Sequence, residues 1–561
     1  MTVSEVEPQS ADHSSPSAAS SGPRRPRLLW WIVALQALLM LGMTVLYPAF
    51  QNADEPAHVD YVLAHRQGQW LDGPGQRPYQ SGVLKAAGLV PNTQFRTHVA
   101  APPVQRSARK SFDELGTASV QSPITNQMVQ HPPLYYGLAA GFSYLIPHFD
   151  RLTFDWQVFW LRVFSVILLL PVPVLIFSAA RRLTGNVNLA LLAAIIPMSF
   201  PAYLRTGGSV TNDSLLILAT TGLIAMLARV SLGDLTRRTA VVVGVLWTAG
   251  LLTKGFAMAM PPVIVLAYLV GARGSLGERI RRAWQPVVIA GAVGTIAGGW
   301  WWLRNIVVDG ALQPSGLGPI DDATRQLITG SDRPGGTDLE FFGNFFRLLG
   351  QRTWGSLGLL DIPSLAHPFL QVMAVVFLLI LVVGVGIGAR PVRRLRGAGD
   401  LSFLREWTVG RAVTLLFPAV LTMLVMYAGS RSVYLHGRQL PGIQIRYLFP
   451  TVLGPAVVAA VGLAWLVGRR ARPWLVPSYL LLSLVFLVAS VQQVLNIEMS
   501  SRKSTSYLAR INDGLHFVVG WAPWSAAGTA ALGLLTVLVA SLTLLGATAR
   551  AVRLAQRERP R

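Results

Sequence analysis

The chain has 561 residues, 52% of them hydrophobic and only 13% charged, with a mean hydropathy of +0.46. A soluble domain carries about a quarter charged residues, so this balance excludes a soluble enzyme. The 48 basic and 26 acidic residues leave a formal charge of +22, which nucleic-acid binding, an anionic lipid surface or membrane topology would each explain, and cysteine is absent, which removes disulfides, thiolate metal sites and cysteine nucleophiles.

Residues 1–27 are rich in Ser, Pro and Ala and end in Arg24, Arg25 and Arg27, the composition of a disordered tail with a basic flank. Residues 28–47 carry no charge over 20 positions, enough to cross a hydrocarbon core of about 30 Å. The run is too long for a signal-peptide core and lacks a small-residue cleavage site, so it reads as an uncleaved first span. Further apolar runs at 157–180, 187–205, 213–230, 239–253, 256–271, 284–302, 367–389, 412–430, 447–468, 474–495 and 523–547 bring the count to twelve. The pattern predicts an all-α integral membrane protein, a polytopic bundle of about 12 transmembrane helices.

Arginines cluster in every other connection: Arg181 and Arg182, Arg237 and Arg238, Arg279 to Arg282, the segment 390–411, Arg469 to Arg472, and the tail 549–561. By the positive-inside rule these segments and both termini are cytoplasmic, the polytopic domain occupies 28–548, and most of the +22 is orientation rather than nucleic-acid binding. The partner of the chain is then the lipid bilayer. The excess of 44 Arg over 4 Lys, with abundant Ala and Gly, suggests GC-rich coding and a bacterial plasma membrane. Two long external loops are expected, 48–156 and 303–366. Within the first, 133–147 is apolar but short and is expected to lie in the outer leaflet as an interfacial helix, with Tyr135 and Tyr136 at headgroup level.

Ionisable residues at the ends of spans are costly and therefore the place to look for chemistry. All candidates fall on the expected outer face. Asp54 and Glu55 precede Pro56 at the start of a helical pattern, where Asp54 suits either a helix cap or a general base. His58, three residues beyond Glu55, makes a divalent cation between the two conceivable, although no full metal motif is present. His131 opens the interfacial segment, and Asn212 with Asp213 opens the fourth span, where a plain helix cap is an equal reading of Asp213. Lys254 sits in a short turn between spans, suited to snorkelling or to an anionic headgroup. Arg304 follows the tryptophans 300–302, which read as interface anchors, and Arg438 and Arg446 flank the tenth span. Outer-face guanidinium groups run against the topology trend and fit a phosphate. No phosphate-binding glycine loop, Rossmann fingerprint or zinc helix motif occurs.

The runs Asp54-Glu55-Pro56-Ala57-His58, His131-Pro132-Pro133-Leu134-Tyr135-Tyr136, Thr211-Asn212-Asp213, Leu252-Thr253-Lys254-Gly255, Trp302-Leu303-Arg304-Asn305, Trp354-Gly355-Ser356-Leu357-Gly358 with Asp361-Ile362-Pro363, and Ile443-Gln444-Ile445-Arg446-Tyr447-Leu448-Phe449-Pro450 resemble a family of bacterial membrane proteins grouped with the GT-C glycosyltransferases. The resemblance extends over about 28–470 and, more distantly, to protein O-mannosyltransferases and the aminoarabinose transferase of lipid A. It implies a GT-C-like bundle that moves a sugar from a polyprenyl-phosphate-linked donor to a glycan or lipid-linked acceptor of the cell envelope, with inversion and without a nucleotide sugar. On that analogy Asp54 is the general base and Glu55 a neighbour that orients it or binds a cation. Lys254, Arg304 and Arg446 would hold the donor phosphate, and His58, His131, Asn212, Asp213 and Arg438 would line the substrate site. The sequence departs from the family at Ile445, where relatives usually have Gly. A transporter or flippase of a lipid-linked saccharide, and a non-catalytic partner in envelope assembly, are the alternatives.

Overall fold

The computed structural model describes residues 26–91, 103–119, 125–316, 335–355, 357, 367–390, 404, 406–437, 440, 442–500 and 506–557. These residues are overwhelmingly helical, and among them strand pairing is limited to two isolated bridges, Pro78 with Thr125 and Gln80 with Ser119. The helices run α1 (Arg27–Leu46), α2 (Glu55–Arg66), α3 (Ser81–Leu89), α4 (Phe112–Leu115), α5 (Leu134–Ser143), α6 (Phe154–Leu169), α7 (Val172–Thr184), α8 (Val187–Ile195), α9 (Pro201–Gly207), α10 (Asp213–Ser231), α11 (Arg237–Leu251), α12 (Pro261–Gly271), α13 (Leu276–Gly298) and α14 (Trp300–Asp309). They continue with α15 (Asp338–Gly355), α16 (His367–Ile387), α17 (Val409–Gly437), α18 (Leu453–Leu466), α19 (Leu475–Ile497), α20 (Tyr507–Trp521) and α21 (Ala526–Arg557).

Seven helical segments of the described residues are long and apolar enough to cross a membrane: α1, α6 with α7, α10, α16, α17, α19 with the turn before it, and α21. Three more pairs reach that length only if each bent pair is one crossing, which makes ten. The protein is therefore a multi-pass helical membrane protein. The two other apolar runs, 239–253 and 256–271, form the shorter helices α11 and α12, of 15 and 11 residues.

The bends have local causes. Val187–Ser199 meets α9 at 79° where Pro201 cannot donate to the preceding turn, and Ile445–Thr451 meets α18 at 79° beside Pro450. The 49° bend between α13 and α14 falls at Gly298 and Gly299. Small residues also set how closely helices approach, the usual means of association where lipid removes the hydrophobic drive between helices. Gly294 of α13 lies flush against Trp247 of α11, and a Cβ there would overlap the indole ring.

Helix α10 is the hub. Its Leu215, Ile217, Ile224 and Ala228 belong to the main apolar cluster, whereas Leu216, Leu223, Leu227 and Val230 belong to a second one built with α11, α12 and the Trp301 and Trp302 side chains. Two apolar faces on one helix force its polar N-terminus, Thr211 to Ser214, into the junction of both clusters. Trp301 and Trp302 are packed inside, and only Trp300 is exposed like an interface anchor, because the bend at Gly299 turns the last two rings inward.

The described residues of 48–91, 103–119 and 125–156 form a layer packed on the bundle. Helix α5 has 10 residues, about 15 Å of helix, so it does not span. It packs on α2 and α6. Tyr135 and Tyr136 are wholly buried there, which corrects the headgroup reading: Leu138, Tyr144 and Leu145 form the exposed side instead. Asp60 is the pin of this layer. Its Oδ2 accepts from Arg77 (3.2 Å) and Asn126 (2.7 Å), and its Oδ1 from the Gln80 backbone N–H (2.9 Å). Arg109 pairs with Asp155 and donates to the Gly520 carbonyl, tying the layer to the end of α20.

Candidate functional site

Asp54 sits between α1 and α2 with φ +60°, a left-handed conformation that costs most residues about 1–2 kcal/mol and that Asp and Asn tolerate best after Gly. It occupies the N-cap position of α2, and its carbonyl accepts the first helical bond, from the His58 N–H at 3.0 Å. Its side chain makes no capping hydrogen bond. The carboxylate turns the other way: Oδ2 accepts from Arg446 Nη2 at 2.7 Å and Oδ1 from Gln127 Nε2 at 3.3 Å. The helix-cap reading of this side chain is thus replaced by an ion pair across 392 residues of sequence. Burial raises the Asp54 carboxyl, but the Arg446 guanidinium outweighs it and holds the group down at about 2.

Arg446 continues the chain of charges. Its Nε lies 3.8 Å from Asp213 Oδ2, and Asp213 Oδ1 accepts from Lys254 Nζ at 2.6 Å. Asp54, Arg446, Asp213 and Lys254 therefore alternate in sign in one connected row, brought together from the end of α1, the turn before α18, the start of α10 and the α11–α12 connection. Asp213 is fully buried and bonded to a cation, so it is more than a helix cap, and Lys254 is buried as well rather than snorkelling. Tyr447 backs both cations, 5.0 Å from Lys254 and 5.3 Å from Arg446. Ile445 has no positive φ, so the turn that presents Arg446 needs no glycine.

Glu55 has a different part. It is fully buried, and its two oxygens accept five donors: Arg162 Nε (2.8 Å), the Val210 N–H (3.0 Å) and Asn52 Nδ2 (3.3 Å) on Oε1, and Arg162 Nη2 (2.6 Å) and the Phe50 N–H (2.9 Å) on Oε2. Burial raises this carboxyl, and Arg162 with the other donors brings it below its usual value. With its lone pairs engaged by these five donors, Glu55 offers no free oxygen to the cation envisaged between it and His58. Among the described residues no group of three or more His, Asp or Glu is arranged to hold a metal ion.

His58 is buried with Nδ1 3.0 Å from the Tyr136 hydroxyl, their rings stacked at 5.9 Å. Burial brings it down to about 4, opposed by Asp54 and reinforced by Lys254 and Arg446. His131 is pushed well below its usual value, first by burial and then by Lys254 and His58, and its Nδ1 has no partner within the described residues. Both rings are neutral at pH 7. An unfolded histidine, near 6.5, binds a proton that these native rings refuse, so stability is full above that pH and falls as pH drops toward 4. For His58 alone the loss is on the order of 3 kcal/mol. Thermal unfolding in detergent should therefore shift down on acidification through this window, and His58→Gln should flatten part of the slope. An unchanged slope in that variant would contradict the assignment.

Asn212 is buried, donates to the Thr253 carbonyl at 3.4 Å and leaves its Oδ1 without a partner among the described residues. Arg304 is not in the row: it pairs with Asp309 at 3.0 Å and stacks 5.4 Å from Trp301. Arg438 lies outside the described residues. Sequence reasoning passed over Arg162, the one cation inside the run 157–180, although a lone guanidinium in an apolar span is itself a signal of a buried partner. Gln127 is not singled out by the sequence, and Tyr447 stands only within the run around Arg446, since neither residue type carries such a mark.

The fold and this row of charges define a multi-pass helical membrane protein with a polar site at one end of its bundle. The description "Predicted membrane protein (DUF2142)" belongs to a family whose model matches residues 37–454, about three quarters of the chain, and the chain belongs to that family. No curated protein matches the sequence. Among solved structures the chain is similar to ArnT from Cupriavidus metallidurans bound to undecaprenyl phosphate, at 12% identity and a TM-score of 0.45, over 94% of this chain and 75% of that one. It is also similar to the Archaeoglobus fulgidus oligosaccharyltransferase in complex with Zn and sulfate, at 13% identity and a TM-score of 0.40, over 82% of this chain. That match spans 52% of the archaeal chain, about half its length. With TM-scores below 0.5, these likenesses add no weight to the site geometry.

Proposed function

We propose that the protein is a membrane glycosyltransferase of the GT-C kind, using a polyprenyl-phosphate-linked sugar outside the cytoplasm as donor and an envelope glycan or lipid-linked hydroxyl as acceptor. The observation that carries this reading is the partly exposed Asp54 carboxylate, turned out of its capping role into a row with two fixed cations, Arg446 and Lys254. In the reaction the acceptor oxygen forms a bond to the anomeric carbon from the face opposite the phosphate. The bond from that carbon to the phosphate oxygen breaks, its electron pair leaves with polyprenyl phosphate, and the acceptor proton passes to Asp54 and then to water. Single displacement inverts the anomeric centre. Arg446 and Lys254 stabilise the charge that develops on the leaving phosphate. Glu55 with Arg162 fixes the turn that presents Asp54.

The test is transfer from a radiolabelled polyprenyl-phosphate sugar by the purified full-length chain, with Lys254→Ala in parallel. Loss of a leaving-group cation is expected to lower kcat/KM by about a hundredfold. Transbilayer movement of the labelled lipid with no transfer product would instead favour a flippase, and overturn the enzyme reading.

A further inference from the structure

The charges of the site are spent on one another. Arg446 is largely buried, yet among the described residues its one short bond is from Nη2 to Asp54; Nη2 also reaches the Tyr447 hydroxyl, and Nη1 the Ala53 carbonyl, only at 3.5 Å, and Nε has no hydrogen bond, with Asp213 at 3.8 Å. A largely buried guanidinium left so short of acceptors needs an explanation, and its fork fits two oxygens of a phosphate.

We infer that Asp54 holds, in the unloaded protein, the place on Arg446 that the phosphate of a polyprenyl-linked phosphoester takes on binding, so that the donor itself displaces the base from its clamp. The inference rests on the function proposed above. Of the two carboxylates beside Arg446, Asp54 is the one able to leave. Asp213 is fixed at the first residue of α10 with Lys254 at 2.6 Å. Asp54 is outside the helix, a third exposed, and among the described residues its carboxylate bonds, apart from Arg446, only to Gln127 at 3.3 Å. Once displaced, it faces a new anion instead of a cation, and both changes strengthen its hold on a proton when the acceptor must give one up. Unloaded, the clamped carboxylate is a feeble base, which guards the site against idle proton transfer.

The competition is measurable without any transfer. Undecaprenyl phosphate, undecaprenol and inorganic phosphate would each be titrated into the full-length chain in nanodiscs, for the wild type, Asp54→Asn, Arg446→Ala and the double variant, with unfolding temperatures checked for each. Asp54→Asn is expected to bind undecaprenyl phosphate about tenfold tighter than wild type, although it removes a polar contact from the site. Arg446→Ala should bind it more weakly, and in that background Asp54→Asn should bring no gain, which separates displacement from a general loss of negative charge. Equal or weaker binding by Asp54→Asn, with Arg446→Ala still impaired, overturns the inference and leaves the proposed function standing. Binding no tighter than undecaprenol, and insensitive to Arg446, overturns the donor-phosphate reading itself. A gain for inorganic phosphate equal to that for the lipid overturns the lipid-linked ligand and assigns the position to free phosphate.

Discussion

Under the proposed function, replacing Asp54 with Asn should lower sugar transfer roughly a thousandfold while leaving the fold and the proposed donor site intact, the usual worth of a positioned proton acceptor. The amide keeps the shape of the carboxylate and can still accept from Gln127, but it takes up no proton. The loss should therefore fall on kcat, with no rise in KM for the donor, since Arg446 and Lys254, which the proposed function assigns to the phosphate, are untouched. A single-turnover assay with labelled donor, read beside the unfolding temperature, separates a chemical defect from a folding one. Asp54→Glu is the informative companion: one methylene longer, it keeps the charge but moves the acceptor atom by more than an ångström, and a partial loss is expected. Undiminished transfer by Asp54→Asn would sink the base assignment.

That prediction depends on a partner the local sequence does not name. The spacing of Asp54, Pro56 and the apolar positions that follow is that of a helix start, and the rule for such starts places an oxygen on the free N–H groups. The positive φ at Asp54 defeats the rule by turning the side chain back toward Arg446, far along the chain. Span positions were far more legible, because a charge-free run either has the length to cross or does not: 28–47 became Arg27–Leu46, and 213–230 became Asp213–Ser231. Length likewise separated α5 from the spans. Whether Tyr135 faces lipid headgroups or a buried Ser165 hydroxyl at 3.2 Å is set by α6 and by the Thr211 N–H that donates to it, and a tyrosine suits either place. The two bends of 79° left only prolines as their mark, which a hydropathy pattern averages away.

Charges inside apolar runs are the signal most worth following, and Arg162 shows why. Its guanidinium, almost fully buried, binds Glu55 at 2.6 and 2.8 Å and donates to the carbonyls of Thr44, Tyr47 and Pro48. Through Glu55 it also reaches the Val210 N–H, so one residue of α6 locks the end of α1, the turn carrying Asp54 and the approach to Asp213. Arg162→Met should then cost about 3–5 kcal/mol, because it leaves Glu55 as an uncompensated charge in a dry site rather than because the pair itself is strong. Adding Glu55→Gln should restore part of that loss, since the neutral amide strands no charge and its one oxygen still accepts from either the Phe50 or the Val210 N–H, which bond to different oxygens of Glu55. Thermal unfolding of the two single variants and the double one in detergent decides it: losses that simply add would show that the two residues act independently. Transfer by Glu55→Gln separates its part from that of Asp54. A positioning residue should lower the rate by loosening the site, with the pH profile unmoved, whereas a second proton acceptor would change the profile itself.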